Sequence, residues 1–245
     1  MPSTEILIFA PIIVFLAYFV FGLCGFGSTL LAVPLLAMLW PLKFVIPVVV
    51  SLDCISAIFM RHQLRDKVWK KELYRLLPFL MVGLGLGAFV LTHLSTHWLS
   101  LCLGLLITVF GSFYLINRHG LIHLPPWSCV PIGLFAGTTS SALGVGGPLY
   151  VFFFNGRGAS AEQTRASVPA VFSFTSLARI VLFSLIGLFN LQVFFAILAL
   201  LPIMAVAMVC GLRSHSRFNR VLVIRLVGLL IMVNGLTLIT RTIFQ

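Results

Sequence analysis

Two glycine clusters interrupt apolar stretches of the chain. One is Gly25-Phe26-Gly27, followed by Ser28 and Thr29; the other is Gly144-Val145-Gly146-Gly147, followed by Pro148. Glycine permits a tight turn at positive φ and lets a ligand approach the backbone closely. A helix restarting after such a break presents unpaired N–H groups and a partial positive charge, which together make an anion site. Ser28 and Thr29 would add hydroxyl donors. Pro148 suits a first helical turn, where its missing N–H costs nothing. Two isolated charges extend this chemistry: Asp53, near the middle of apolar stretch 44–60, and Arg179, near the middle of 168–189. A guanidinium can hold an oxyanion by a bidentate fork, and a carboxylate can take up and release a proton. Ser51 and Ser173 are candidate lining residues, although a helical serine commonly bonds to the preceding turn. Each feature also has a structural reading. The glycines could serve close helix packing, and Asp53 and Arg179 could pair with each other and only hold helices together.

The elements that must position these groups are membrane helices. Of 245 residues, 60% are hydrophobic and only 9% charged, with a mean hydropathy of +1.15. A soluble domain is about 25% charged, so this chain cannot cover a globular surface with polar groups. A span takes roughly 20 apolar residues. Apolar stretches lie at about 6–22, 27–39, 44–60, 76–92, 98–116, 128–143, 148–154, 168–189, 191–212 and 221–240, with polar loops at 61–75, 93–97, 117–127, 155–167 and 213–220. The chain is therefore expected to be an all-α polytopic membrane protein. Stretch 148–154 is too short to span alone, so each glycine-broken pair is either two crossings or a re-entrant hairpin. At mid-membrane depth a charge costs about 2.5–3.5 kcal/mol on insertion scales, so Asp53 and Arg179 need a reason to be there.

Composition also excludes several classes. The net charge of +11 resides mostly in loops, which argues against a nucleic-acid partner; the expected partners are a small anion and the lipid bilayer, with a homodimer left open. The five cysteines are scattered singly without CxxC spacing, so neither disulfides nor a metal site is expected. His93 and His97 have i,i+4 spacing but sit at a helix end. Gly83-Leu-Gly-Leu-Gly87 lies inside a helix and reads as a small packing face rather than a dinucleotide fingerprint. No cofactor is expected, nor a cleaved signal peptide, because Met1–Glu5 carries no basic residue.

The chain is an internal duplication. Leu77-Pro-Phe-Leu-Met-Val-Gly83 answers Leu201-Pro-Ile-Met-Ala-Val-Ala207 at offset 124, and Gly104-Leu-Leu-Ile-Thr-Val-Phe-Gly111 answers Gly228-Leu-Leu-Ile-Met-Val-Asn-Gly235 at the same offset. Pro47–Ser51 answers Pro169–Ser173 at 122, and Gly25–Gly27 answers Gly144–Gly146 at 119. The expected halves are 1–117 and 118–245 within one membrane domain, each a glycine-broken pair followed by three helices. Charge orients them. Loop 61–75 carries six basic residues while its counterpart around Asn190 carries none; loop 93–97 has none while its counterpart 213–220 has Arg213, Arg217 and Arg220. By the positive-inside rule the halves are inserted upside down relative to each other, which is the inverted-repeat pattern of secondary transporters. Twelve basic residues then lie inside, and both termini face out, to the periplasm of a bacterial inner membrane.

These residues also carry a family resemblance. Gly22-Leu-Cys-Gly-Phe-Gly-Ser-Thr-Leu-Leu-Ala-Val-Pro-Leu-Leu36 resembles the first glycine motif of the sulfite exporter TauE/SafE family, and Gly144-Val-Gly-Gly-Pro-Leu-Tyr150 is similar to its second. Glu162-Gln-Thr-Arg-Ala-Ser167, before an apolar helix bearing an arginine, is similar to the continuation of that second repeat. Ser28 stands where many members have a third glycine. The resemblance implies transport of small sulfur-containing anions such as sulfite or organosulfonates.

The resulting expectation is a secondary transporter, an exporter with Asp53 as its candidate proton-coupling group, and not an enzyme. The substrate-binding candidates are Gly25, Phe26, Gly27, Ser28, Thr29, Gly144, Val145, Gly146, Gly147 and Arg179. Two other classes compete. An intramembrane hydrolase using Ser28 would need an embedded base, yet all six histidines lie in loops or at helix ends. A non-transporting scaffold would leave the buried charges unexplained.

Overall fold

The computed structural model describes residues 4–116, 123–214, 228–229 and 232–240. The proposed 117/118 boundary between halves, most of loop 213–220 and both termini lie outside the described residues. Those that are described form nine α-helices in the order α1 (Thr4–Cys24), α2 (Ser28–Ala37), α3 (Leu42–Gln63), α4 (Lys70–His93), α5 (Thr96–Ile116), α6 (Cys129–Leu143), α7 (Gly147–Gly156), α8 (Ala161–Leu185) and α9 (Leu191–Ser214). Residues 228–229 and 232–240 are also helical. There is no strand among the described residues. Large apolar side chains such as Phe9, Leu16, Phe89, Leu177, Phe194 and Leu198 point outward. A water-soluble monomer does not expose apolar surface on this scale, and the protein is an integral membrane protein.

Two helices begin earlier than the apolar stretches suggest. α4 starts at Lys70, so Lys70, Lys71, Glu72 and Arg75 are helical. α8 starts at Ala161 behind a capping box, in which the Ser160 hydroxyl accepts from the Gln163 N–H and the Gln163 side chain accepts from the Ser160 N–H. Satisfying the end donors locally lets a helix extend its first turns beyond the apolar part of its sequence. Conversely, α2 and α7 have ten residues each. That is about 15 Å of helix, half the ~30 Å apolar core of a bilayer. The first pair joins α1, of 21 residues, to α2, and the second joins α6, of 15 residues, to α7.

The helices pack in pairs. α1 packs on α9, and α6 packs on α4; α3 and α8 pack on each other between these pairs. Under the sequence offsets, α1 corresponds to α6 and α4 to α9, so the two outer interfaces are equivalents. Single contacts repeat as well. A Cβ on Gly87 would meet the Thr138 carbonyl and Ser141, and a Cβ on Gly211 would meet the Phe19 carbonyl and Gly22. Offset 124 carries Gly87 to Gly211, and offset 119 carries Phe19 and Gly22 to Thr138 and Ser141. Likewise Gly104 lies on Gly235 and Gly111 on Gly228.

The Gly83–Gly87 segment is a packing face. Gly83 abuts Gly137 of α6, whereas Gly85 has nothing within 4 Å of where its Cβ would be. Gly83→Val is therefore expected to force α4 from α6 and lower the thermal midpoint in detergent sharply, while Gly85→Val should leave it near wild type. Equal effects would mean that the close approach is not what stabilises this pair.

α3 and α8 run in opposite directions. Arg61, at the end of α3, reaches Ser173 at the middle of α8, while Trp40–Phe44 at the start of α3 faces Gly187–Ala196 beyond the end of α8. A cavity opens at each end of this pair. One, of about 740 Å³, is lined by Trp40, Lys43, Phe44, Asn190 and Gln192 among others. The other, of about 430 Å³, is lined by Arg61, Arg65, Asp66, Lys70 and Phe174 among others. Near that second end, buried Glu72 accepts from Arg157 Nε (3.0 Å) and Arg75 Nη1 (2.8 Å), tying α4 to the chain after α7.

Candidate functional site

The centre of the α3–α8 pair is closed from both cavities. Asp53, Arg179, Ser28 and Thr29 are all fully buried. Asp53 lies eight residues before Arg61 and nine after Phe44, so about 12–14 Å of helix separates it from either end. The charges meet here because α3 and α8, which correspond under offset 122, pack on each other. Yet the charges themselves are not duplicated. Offset 122 puts Thr175 where Asp53 would repeat and Ala57 where Arg179 would, so the site is chemically one-sided.

Asp53 Oδ1 accepts from the Ser28 hydroxyl at 2.8 Å and the Tyr18 hydroxyl at 2.9 Å. Its second oxygen, Oδ2, has no hydrogen-bond partner among the described residues. Ser28 is the first residue of α2, so the first glycine break delivers this donor to the centre of the α3–α8 pair. Arg179 is held by the Ser140 carbonyl at Nη1 (2.7 Å) and the Ser176 hydroxyl at Nη2 (3.3 Å), and its Nε has no partner among the described residues. Ser140 lies in the last turn of α6, just before the second break. Asp53 and Arg179 are within electrostatic range of each other, but they form no ion pair. The ion pairs among the described residues are Arg65–Asp66, Lys67–Glu162, Arg75–Glu72 and Arg157–Glu72. Direct pairing between Asp53 and Arg179, the structural reading of these charges, is not what holds the helices together.

The breaks themselves differ. Gly27 caps α2 at φ 102°, in the left-handed region, with no side-chain cap. Gly144 ends α6 at φ 75°, while Gly146 caps α7 at an ordinary φ of −112°. Pro148 falls in the first turn of α7. The opening turns of α2 and α7 therefore leave N–H groups unbonded within their own helices. Not every residue of the breaks is available to a ligand: the Val145 N–H donates to the Thr139 carbonyl. The Thr29 hydroxyl and the Ser141 hydroxyl have no hydrogen-bond partner among the described residues. Phe26 is buried. Ser51 bonds to Pro47 one turn back, and Ser173 bonds to Ala170 while accepting from Arg61.

Several site residues escape sequence reasoning. Tyr18 and Tyr150 are fully buried, and an aromatic chain of edge contacts runs Tyr18–Phe21–Phe172–Tyr150 across the halves. Both tyrosines lie within electrostatic range of Arg179. Ser140 and Ser176 were equally unmarked. Their only local signal is a hydroxyl inside an apolar helix, which most membrane helices share. Buried hydroxyls, one guanidinium and one carboxylate around two helix N-termini can bind a small oxyanion and hold one proton. Cys54, next to Asp53, is the thiol within electrostatic range of Arg179, and no group of three potential metal ligands occurs among the described residues.

A family model described as sulfite exporter TauE/SafE matches residues 10–238. No curated protein and no solved structure matches the chain.

Proposed function

The chain belongs to the sulfite exporter TauE/SafE family, and from that premise we propose that it exports a small sulfur-containing anion, sulfite or a short organosulfonate, by alternating access around Arg179 and Asp53. The observation that carries this reading is the pair of unspent atoms at mid-depth. Arg179 Nε and Asp53 Oδ2 are fully buried, unbonded among the described residues, and not paired with each other. Burying both charges is costly, and a substrate anion on Arg179 and a proton on Asp53 would each relieve part of that cost. Gly25–Thr29 and Gly144–Gly147 would supply backbone N–H donors from two sides, with Ser51 and Ser173 on the flanks.

The two cavities support alternating access. They lie at opposite ends of α3–α8, with the charged centre sealed between them. The halves 1–117 and 118–245 act in this reading as inverted repeats, rocking about the α3–α8 contact so that each cavity in turn reaches Arg179. The cavity beside Arg61 would be cytoplasmic and that beside Lys43 periplasmic, in a bacterial inner membrane with both termini outside. Export of a monoanion needs little further drive. An inside-negative potential of 100 mV is worth about 2.3 kcal/mol per charge, roughly a 50-fold outward gradient.

An intramembrane hydrolase fits less well. The Ser28 hydroxyl is engaged as donor to Asp53, and His62, His93 and His97 lie at the end of α3, the end of α4 and the start of α5. The test is flux of labelled sulfite and short sulfonates in proteoliposomes, with and without imposed proton and potential gradients. Expected is sulfite flux accelerated by both; flux equal to protein-free liposomes for every anion would refute the carrier reading.

A further inference from the structure

We propose that Arg61 is a second anion-binding residue, the entry station at which the anion docks before it passes along Ser173 and Ser176 to Arg179. This rests on the carrier reading above and names where its substrate is first captured. Four observations carry it. Arg61 lines the 430 Å³ cavity together with Arg65 and Lys70, against the single carboxylate of Asp66. Asp66 is already engaged with Arg65, at 3.8 Å, and Arg61 has no carboxylate within ion-pair distance among the described residues. Its guanidinium is nonetheless fixed in place, with its central carbon 4.5 Å from the centroid of Phe174 and Nη1 3.3 Å from the Ser173 hydroxyl. A planar cation stacked on a ring and held at one nitrogen keeps its other N–H groups free for an oxyanion.

The route inward is written on α8. Ser173, Ser176 and Arg179 follow one another at intervals of three residues, which are neighbours on a helix surface. Ser173 already touches Arg61 and Ser176 already touches Arg179, so about 9 Å of helix joins the two guanidinium groups through two hydroxyls. The two serines are buried, hence the stripe is shut in this state and would open when the cavity deepens toward Arg179. Among the described residues, the opposite cavity has no equivalent. Lys43, the cation among its described lining residues, gives its ammonium to the Thr92 carbonyl at 3.3 Å. Capture of anions is thereby biased to the Arg61 end.

The experiment measures sulfite flux from each face separately, in proteoliposomes whose outward-facing population is silenced by labelling one cysteine introduced at a terminus-proximal site. In Arg61→Gln, the sulfite concentration that half-saturates transport from the Arg61 face should rise about tenfold. The value for the opposite face should stay within twofold of wild type while its maximal rate falls in step, as detailed balance between the faces requires. Arg61→Lys should fall between, keeping the charge and losing the fork. Arg213→Gln, a basic residue outside the cavity, should match wild type. Arg61 is exposed and its contacts are one hydrogen bond to Ser173 and the stacking on Phe174, so the thermal midpoint of Arg61→Gln in detergent should stay near wild type. An unchanged half-saturating concentration at the Arg61 face, or an equal rise at both faces, overturns the entry station while leaving the carrier intact. Absence of wild-type sulfite flux overturns the carrier reading and this proposal with it.

Discussion

Arg179→Ala is expected to reduce sulfite flux to the level of protein-free liposomes, and Arg179→Lys to weaken anion affinity by about 10- to 100-fold with near-native stability. The magnitude follows from the bond lost. A charge-assisted hydrogen bond is worth about 1.5–3 kcal/mol, and lysine replaces a fork by a point charge. Lysine also retains the cation among Ser140, Ser176 and the two buried tyrosines, which is why folding should survive. Asp53→Asn gives a different signature. The amide oxygen can still accept from Ser28 and Tyr18, so the local structure should hold, and anion exchange should persist. What should vanish is acceleration by a pH gradient, because the amide cannot carry the proton. The double variant Asp53→Asn, Arg179→Gln, assayed for thermal stability and flux together, separates function from structure. Full gradient-driven transport in it would exclude both proposed roles. Rescue of stability over the single variants would indicate that the two charges are structurally coupled despite the absence of an ion pair, since a stranded buried charge is destabilising.

That test was accessible from the sequence only in part. Asp53 and Arg179 stood out because ionisable residues in apolar helices are costly and rare. Their partners did not. Tyr18 and Asp53 are 35 residues apart, and Ser140 and Arg179 are 39 apart; no periodicity marks a contact of that kind. The missing ion pair was equally illegible, since spacing on two helices says nothing about whether two side chains meet or each finds hydroxyls and carbonyls nearer by. Arg61 shows the opposite error. Among six basic residues in one loop it served only to orient the chain, and its stacking on Phe174 depends on α3 running one helical turn further than its apolar stretch.

The close-packing glycines were legible in the sequence, in the spacing that suggested a duplication, and the reason is physical. Glycines required for close helix approach leave a pattern that drifts little, and both copies must keep it because the interface is used twice. Gly87 against Ser141 and Gly211 against Gly22 are one contact written at two places. Helix starts were less legible. The charged opening turns of α4 and α8 look like loop when only hydropathy is read, although Ser160 and Gln163 spell a capping box that a reading by cap residues would have found. The half-length of α2 was hidden for another reason. Residues 38–39 are apolar but belong to the turn that leads to Pro41, so the apolar stretch overstates the helix.

Gly27→Val and Gly146→Val are each expected to abolish transport while the protein remains inserted in the membrane, but for different reasons that the alanine variants separate. At Gly27 there is room: the nearest atom to an added Cβ is a Val20 methyl at 3.4 Å. The obstacle is the backbone, whose φ of 102° is costly for any L side chain, by about 1–3 kcal/mol, and more for a β-branched one. Gly27→Ala should therefore shift the turn that presents Ser28 to Asp53, costing stability and flux together. At Gly146 the backbone is ordinary, and the obstacle is space. An added Cβ would lie 2.6 Å from the Tyr150 hydroxyl and 2.8 Å from Ser140 Cβ. Those two residues border Arg179, so Gly146→Ala should disturb the arginine's carbonyl contact and lower anion affinity more than it lowers the thermal midpoint. The pair of measurements, flux and thermal midpoint for each alanine variant, distinguishes the mechanisms. If Gly146→Ala transports with wild-type affinity, the second break does not shape the anion site. If Gly27→Ala is both stable and active, the left-handed turn is not required to bring the α2 N-terminus to mid-depth. Should both hold, the breaks are packing devices, and the anion must bind somewhere other than between them.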